Sequence, residues 1–178
     1  MNDCFHFLLV ILLRVEKGIL FFVIVGGYKM YFNANDVTAF LAQKDFIDTA
    51  LIPLVGINFS SEKLKQSGAE ADFLLSLTAF IEQQFKGRLL VMPPFTYSTT
   101  LKNEELPAQL ETQLHTAGFK HVFFITCDHF WTNIGDIVNI IWLPAIPLES
   151  MDKGVKHTIL EDQLRQVIPA FSTKWSQN

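Results

Sequence analysis

The chain has 178 residues, 49% of them hydrophobic and 18% charged. That balance excludes intrinsic disorder and supplies enough apolar surface for one core without disulfide or metal staples. A formal charge of −4, with no cluster of Lys or Arg, excludes the basic surface that displaces counterions from nucleic-acid phosphates.

Residues 1–29 differ in character from the rest. Two apolar runs, 5–13 and 18–25, flank Arg14, Glu16 and Lys17. Joined end to end the runs have the length of a membrane span, but each charge at a helix centre costs about 2.5–3.5 kcal/mol on insertion scales. A signal peptide fits worse, because Met1-Asn2-Asp3-Cys4 has no positive charge and no small-x-small cleavage site follows. A third reading places the true start at Met30. Gly26-Gly27 back-translates readily to GGA-GGN, a purine tract of the ribosome-recruiting kind, with Tyr28-Lys29 as the spacer, and the codons themselves test this. The segment is therefore expected to be a mis-assigned extension, the alternative being a hydrophobic anchor. Membrane contact is expected only if it is translated. Residues 30–178 are expected to form a single domain, with Cys127 its only thiol and no C-x-x-C metal spacing.

From Met30 the elements follow in order. Asn35-Asp36 opens a short amphipathic helix ending near Lys44, and residues 49–59 read as a strand. Pro53 ends its regular part or sits at an irregularity, since proline cannot donate to a central ladder. Ser67 and Glu70 make the spacing of a capping box for a second helix, whose stripe is Phe73, Leu77, Phe80, Ile81 and Phe85, and Gly87 stops it. Residues 88–92 form a second strand cut off by Pro93-Pro94, and an aromatic, hydroxyl-rich stretch continues through 95–100. Asn103 is placed to cap a third helix, with Pro107 in its first turn, and Gly118 ends it.

The apolar, β-branched and aromatic run at 122–125 predicts a strand buried on both faces, which breaks into Thr126, Cys127, Asp128 and His129. The stretch 132–139 is too short for a full helical crossover. The strand at 140–143 is therefore antiparallel or reached by a cramped helical turn. Thr158 and Glu161 form a second capping box before a last helix with Leu160, Leu164, Val167, Ile168 and Phe171 on its apolar face. Strands alternating with helices predict an α/β three-layer sandwich, Rossmann/flavodoxin-like. Its sheet is mainly parallel, four-stranded or slightly larger, with helices on both faces.

In such a fold, ligands sit outside the carboxyl ends of the strands. Candidate ligand-binding residues are therefore Thr96, Tyr97, Thr126, Asp128 and His129. Asp128 has the chemistry to hold a cation, a ribose hydroxyl or a reacting water, and also to cap the turn toward Trp131. Cys127 and His129 share a face on an extended chain, as a nucleophile and base would, yet a lone buried Cys is normally a small hydrophobe. Trp142 with residues 144–148 reads as core or as an apolar patch. His115, His121 and His157 lack ligand spacing, and no glycine-rich phosphate loop occurs, so neither a metal nor a cofactor is expected.

Several segments together carry a resemblance: residues 45–54 (DFIDTALIPL), 85–89 (FKGRL), 93–97 (PPFTY), 121–124 (HVFF) and 142–149 (WLPAIPLE). On these the chain resembles the YpiF-like family of uncharacterised cytoplasmic proteins from Gram-positive, spore-forming bacteria. The resemblance implies a cytoplasmic protein with no catalytic residue to carry over. Some relatives are encoded beside genes for menaquinol:cytochrome c reductase, which implies a respiratory setting. The expected function is a non-enzymatic module that binds a protein partner or small ligand, without nucleic acid. The alternative is a small hydrolase or nucleotide-type transferase working through Asp128.

Overall fold

The structure, a computed structural model, describes residues 29–134 and 138–177 in full and residues 11–16 and 19–24 as backbone. Strands β1 (Ile11–Glu16) and β2 (Ile19–Ile24) pair antiparallel in a sheet of their own, Ile11 opposite Ile24 and Glu16 opposite Ile19. The Gly26-Gly27 pair on which the start-site reading turns, and most of the first apolar run, lie outside the described residues. Among the described residues no helix is long and apolar enough to cross a membrane.

The main sheet is parallel throughout. Its order is β4 (Leu89–Val91), β3 (Thr49–Ile57), β6 (His121–Thr126), β7 (Ile140–Trp142). A fifth strand, β5 (Phe95–Ser98), takes over the β4 lane beside the second half of β3, with Leu54 opposite Phe95 and Gly56 opposite Tyr97. On the other side of β3, Leu54 pairs with Thr126, which pairs in turn with Trp142. The expected α/β three-layer sandwich is therefore present, with five strand segments in four lanes.

Side chains leave a strand on alternate faces, and the two central strands are apolar on both. Leu51 and Val55 of β3, with Phe123 and Ile125 of β6, pack under α2 (Leu64–Gln84) and α4 (Lys153–Trp175). Ala50, Ile52, Leu54, Val122 and Phe124 pack on the opposite face with Phe40 of α1 (Ala34–Ala42) and with Leu110 and Leu114 of α3 (Leu106–Ala117). Phe40 stacks on Phe119 with ring centroids 4.1 Å apart, closing that face at the amino ends of the strands.

Pro53 lies inside β3 and does not end it. In a parallel ladder a residue's N–H and C=O point to the same side, and Leu51 accepts from the Met92 N–H on the β4 side. Two residues on, Pro53 would direct its missing N–H to that same side, where Met92-Pro93-Pro94 interrupts the lane between β4 and β5. A strand without a donor therefore faces a gap with no acceptor to satisfy, which is the irregularity the sequence pointed to.

The helix starts differ from the sequence expectation. Asn33 caps α1, its Oδ1 accepting from the N–H groups of Asn35 and Asp36 at 3.0 Å. The turn at 60–63 already leads into α2, so Ser67 lies inside the helix and its Oγ accepts from Asn58 N–H at 2.9 Å. Asn103 bonds the Glu105 N–H in a turn ahead of α3 rather than capping the helix itself. Asp152 caps α4 through Val155 N–H, while Thr158 is interior and donates to Gly154 C=O. The glycine stops hold: Gly87 and Gly118 take left-handed φ of 80° and 113°, where a side chain would be strained. β7 is parallel, reached through a 3-10 turn at His129–Ile134, the cramped alternative.

Candidate functional site

From β3 the chain crosses over α2 to β4 on one side. From β6 it proceeds to β7 on the other. Connections diverging from two neighbouring strands leave a crevice at their carboxyl ends, the switch point at which open α/β sheets bind ligands. A cleft of about 240 Å³ lies there. Its walls are Leu54, Val55, Gly56 and Asn58 from β3 and just beyond, the first turns of α2 with Lys63, Gln66 and Glu70, then Thr99 and Lys102, and Cys127–His129 after β6.

Asp128 organises the β6 wall. Thr126 is fully buried, and its Oγ1 donates to Leu54 C=O at 3.1 Å while accepting from Asp128 N–H at 3.1 Å. That single hydroxyl ties the end of β6 to β3 and fixes where Asp128 starts. The Asp128 Oδ1 accepts from Phe130 N–H at 3.0 Å; Oδ2 accepts from the Tyr97 hydroxyl at 2.9 Å and faces Lys102 Nζ at 2.9 Å. The Tyr97 oxygen in turn accepts from Trp131 Nε1 at 2.5 Å. The relay therefore has one direction, from indole to phenol to carboxylate. Lys102 also sits 4.1 Å over the Phe130 ring, which holds its charge against the carboxylate.

Tyr97 starts in the β5 lane and has to cross β3 to reach Asp128. Gly56 lies directly beneath: a Cβ there would come within 2.8 Å of the Tyr97 hydroxyl oxygen. The glycine is the floor that lets the phenol pass.

Charge follows from this geometry. Burial pushes the Asp128 carboxyl up, but the Lys102, Phe130 and Tyr97 hydrogen bonds with the Lys102 charge outweigh it and hold its pKa below the ordinary carboxylate value. Burial, reinforced by the nearby carboxylate, pushes the Tyr97 hydroxyl far up, so it stays a proton donor. Burial first, then the Glu70 charge, pushes the Cys127 thiol up to about 12. A thiol held there is not a thiolate nucleophile near neutral pH. Asp128 is ionised, and its oxygens are engaged by donors of its own chain. Among the described residues no group of three His, Cys, Asp or Glu side chains is placed to hold a metal ion.

The structure thus joins Tyr97 and Asp128, places Thr126 beneath them, and puts His129 on the cleft wall with its ring 5.1 Å from Trp142 and perpendicular to it. Thr96 is exposed, next along β5 from Tyr97 and so on the other face, and does not line the cleft. Trp142 is part patch and part scaffold, 37% exposed with its Nε1 donating to Cys127 C=O, while Leu143 and Leu148 are buried core. Sequence reasoning missed Lys102, Gly56 and the α2 wall. An isolated glycine inside an apolar strand was a legible sign of close approach at Gly56; Lys102 carried no such sign.

Fold and site together define a doubly wound α/β module with a polar, charge-paired cleft at its switch point. Residues 38–175 match the family described as protein of unknown function, DUF2487, and the chain belongs to that family. It is 30% identical over 151 residues to "Uncharacterized protein YpiF" of Bacillus subtilis (strain 168), across 83% of this chain and 99% of that relative. The YpiF-like kinship legible in the strand segments is thereby shown. No solved structure matches the chain, and the Rossmann/flavodoxin-like description rests on strand order alone.

Proposed function

We propose that this chain is a non-enzymatic cytoplasmic binding module whose cleft between β3 and β6 receives a small polar ligand. The observation that carries the reading is the state of Asp128. At the position where an α/β enzyme would keep a working carboxylate, this one is saturated by Tyr97, Lys102 and Phe130 and serves to rigidify the wall. The surface left facing the cleft is more polar than apolar, with Lys63 and Glu70 of opposite charge on one side. At about 240 Å³ the space is below the roughly 300–1,000 Å³ of drug-sized sites, and suits a metabolite-sized molecule carrying both donors and acceptors. Regulation or biogenesis of a respiratory complex is the proposed setting, after the gene neighbourhood that the resemblance implies for some relatives.

Thermal denaturation of the whole chain against a panel of amino acids, dicarboxylates and nucleotides tests this. A ligand at a hundred times its Kd adds about 2.7 kcal/mol of stability, a clear rise in Tm. The rise should disappear in Glu70→Ala or Gln66→Ala and persist in Thr96→Ala, which lies off the cleft. No shift with any panel member, together with stoichiometric capture of a protein partner from cells, would replace the small ligand by a protein.

A further inference from the structure

Glu82, on the last turns of α2, is 1% exposed. Its Oε1 accepts a hydrogen bond from the Met30 backbone nitrogen at 2.8 Å, and its Oε2 has no hydrogen-bond partner. A buried carboxylate with a vacant oxygen is a costly arrangement, and such groups normally persist where a cation reaches them. An amide N–H offers Glu82 one donor and no charge. An α-ammonium group on the same nitrogen would offer three donors and a full positive charge, enough for both oxygens.

The nitrogen is held in place by the residues that follow it. The Met30 side chain is buried, its carbonyl accepts from Val91 N–H at 3.0 Å, and Phe32 N–H donates to Val91 C=O at 2.9 Å. Tyr31 pairs with Val91 as a parallel bridge, and its N–H donates to Asp36 Oδ2 at 3.0 Å. The Met30 carbonyl and the Phe32 N–H thus dock the segment on the free edge of β4 and the Tyr31 N–H ties it to α1, with Glu82 at its head.

We propose that Glu82 is the counter-ion of a free α-ammonium group at Met30, the amino end of the functional protein. The Bacillus relative uses 99% of its length on 83% of this chain, leaving about 30 residues here without a counterpart there. Codons of the form GGA-GGN at Gly26-Gly27 would supply the means, a purine tract for initiation at the Met30 codon. Pairing also relieves the carboxyl of Glu82, which burial otherwise pushes above its ordinary value against the pull of the Met30 N–H, Lys86 and Lys29.

The gene, expressed in a Bacillus host with its own upstream sequence and a carboxyl-terminal tag, gives the first test through the intact mass of the purified protein. A mass for residues 30–178 is expected, unchanged when the Met1 codon is removed. A full-length mass that disappears with the Met1 codon overturns the proposal. The second test reads the pairing itself, by competitive acylation of the amino terminus across pH. In the wild-type protein the α-amine should react about tenfold more slowly near pH 8 than an ordinary one, whose pKa is about 7.7–8.0, and Glu82→Gln should restore ordinary reactivity. An amine of ordinary reactivity in the wild type overturns the ion pair whether or not the variant folds.

Discussion

Asp128 gathers a phenol, an ammonium and a backbone N–H on one carboxylate. Replacing it by Asn removes the negative charge and leaves Lys102 against an uncharged, half-buried wall; the expected loss is about 1–3 kcal/mol at neutral pH. The sign of the pH dependence follows from the depressed pKa. Asp128 contributes its full stability above its ordinary value of 3.8 and loses it as the pH falls through the lower folded value. Urea titrations at several pH values should therefore show a constant gap between wild type and Asp128→Asn above about pH 5 that closes in stronger acid. A gap that stays open under acid would assign the loss to shape instead of charge. Tyr97→Phe strands the buried Trp131 Nε1 without its acceptor, and is expected to cost about 1–3 kcal/mol in the same assay. Gly56→Ala should cost a similar amount by lifting the phenol, with the two effects less than additive because both break one contact. Tyr97, Thr126 and Asp128 were legible because open α/β sheets gather ligands at the carboxyl ends of their strands, and here they form one hydrogen-bonded group. Lys102 was not legible, since a surface lysine looks the same whether it reaches solvent or a carboxylate.

At the scale of elements, the sequence located four of the five strand segments of the main sheet, left Phe95–Ser98 as an aromatic stretch, and misplaced helix starts. Buried strands announce themselves by unbroken apolar runs, and the stops at Gly87 and Gly118 need a backbone that only glycine readily supplies. Helix starts are decided by a local competition that pattern alone does not settle. Ser67 and Glu70 have capping-box spacing, yet the Ser67 hydroxyl is drawn to Asn58 N–H, tying the end of the β3 loop to a helix already under way. For α4 the rival caps can be separated directly. Asp152→Ala should lower stability by about 0.5–2 kcal/mol, as loss of an amino-terminal cap does, whereas Thr158→Ala should stay within about 0.5 kcal/mol. Equal losses in denaturant titrations, or a larger one for Thr158→Ala, would return the cap to Thr158.

At the scale of the molecule, the two apolar layers share their sheet. β3 and β6 give alternate side chains to the α2/α4 face and to the α1/α3 face, so neither layer can be opened without removing the floor of the other. The cleft takes one wall from α2 and another from Cys127–His129, and Asp128 in that wall is held from behind by Tyr97, which Trp131 of the α1/α3 side bonds in turn. Its geometry therefore depends on both layers. Phe171 makes the dependence measurable. It is fully buried on α4, with its ring 4.3 Å from Phe123 and in contact with Phe85 and Trp175, and it does not line the cleft. Phe171→Ala is expected to cost about 3–5 kcal/mol, a large share of the roughly 5–15 kcal/mol that holds a domain together. Because the layers are coupled through the strands, hydrogen exchange should speed up by the same free energy at β6 amides beneath either face, and intrinsic fluorescence and far-UV dichroism should report a single shared transition. Acceleration confined to α4 and the amides it covers would mean that the two layers unfold separately, and the Tyr97–Trp131 support behind Asp128 would then stand without α4.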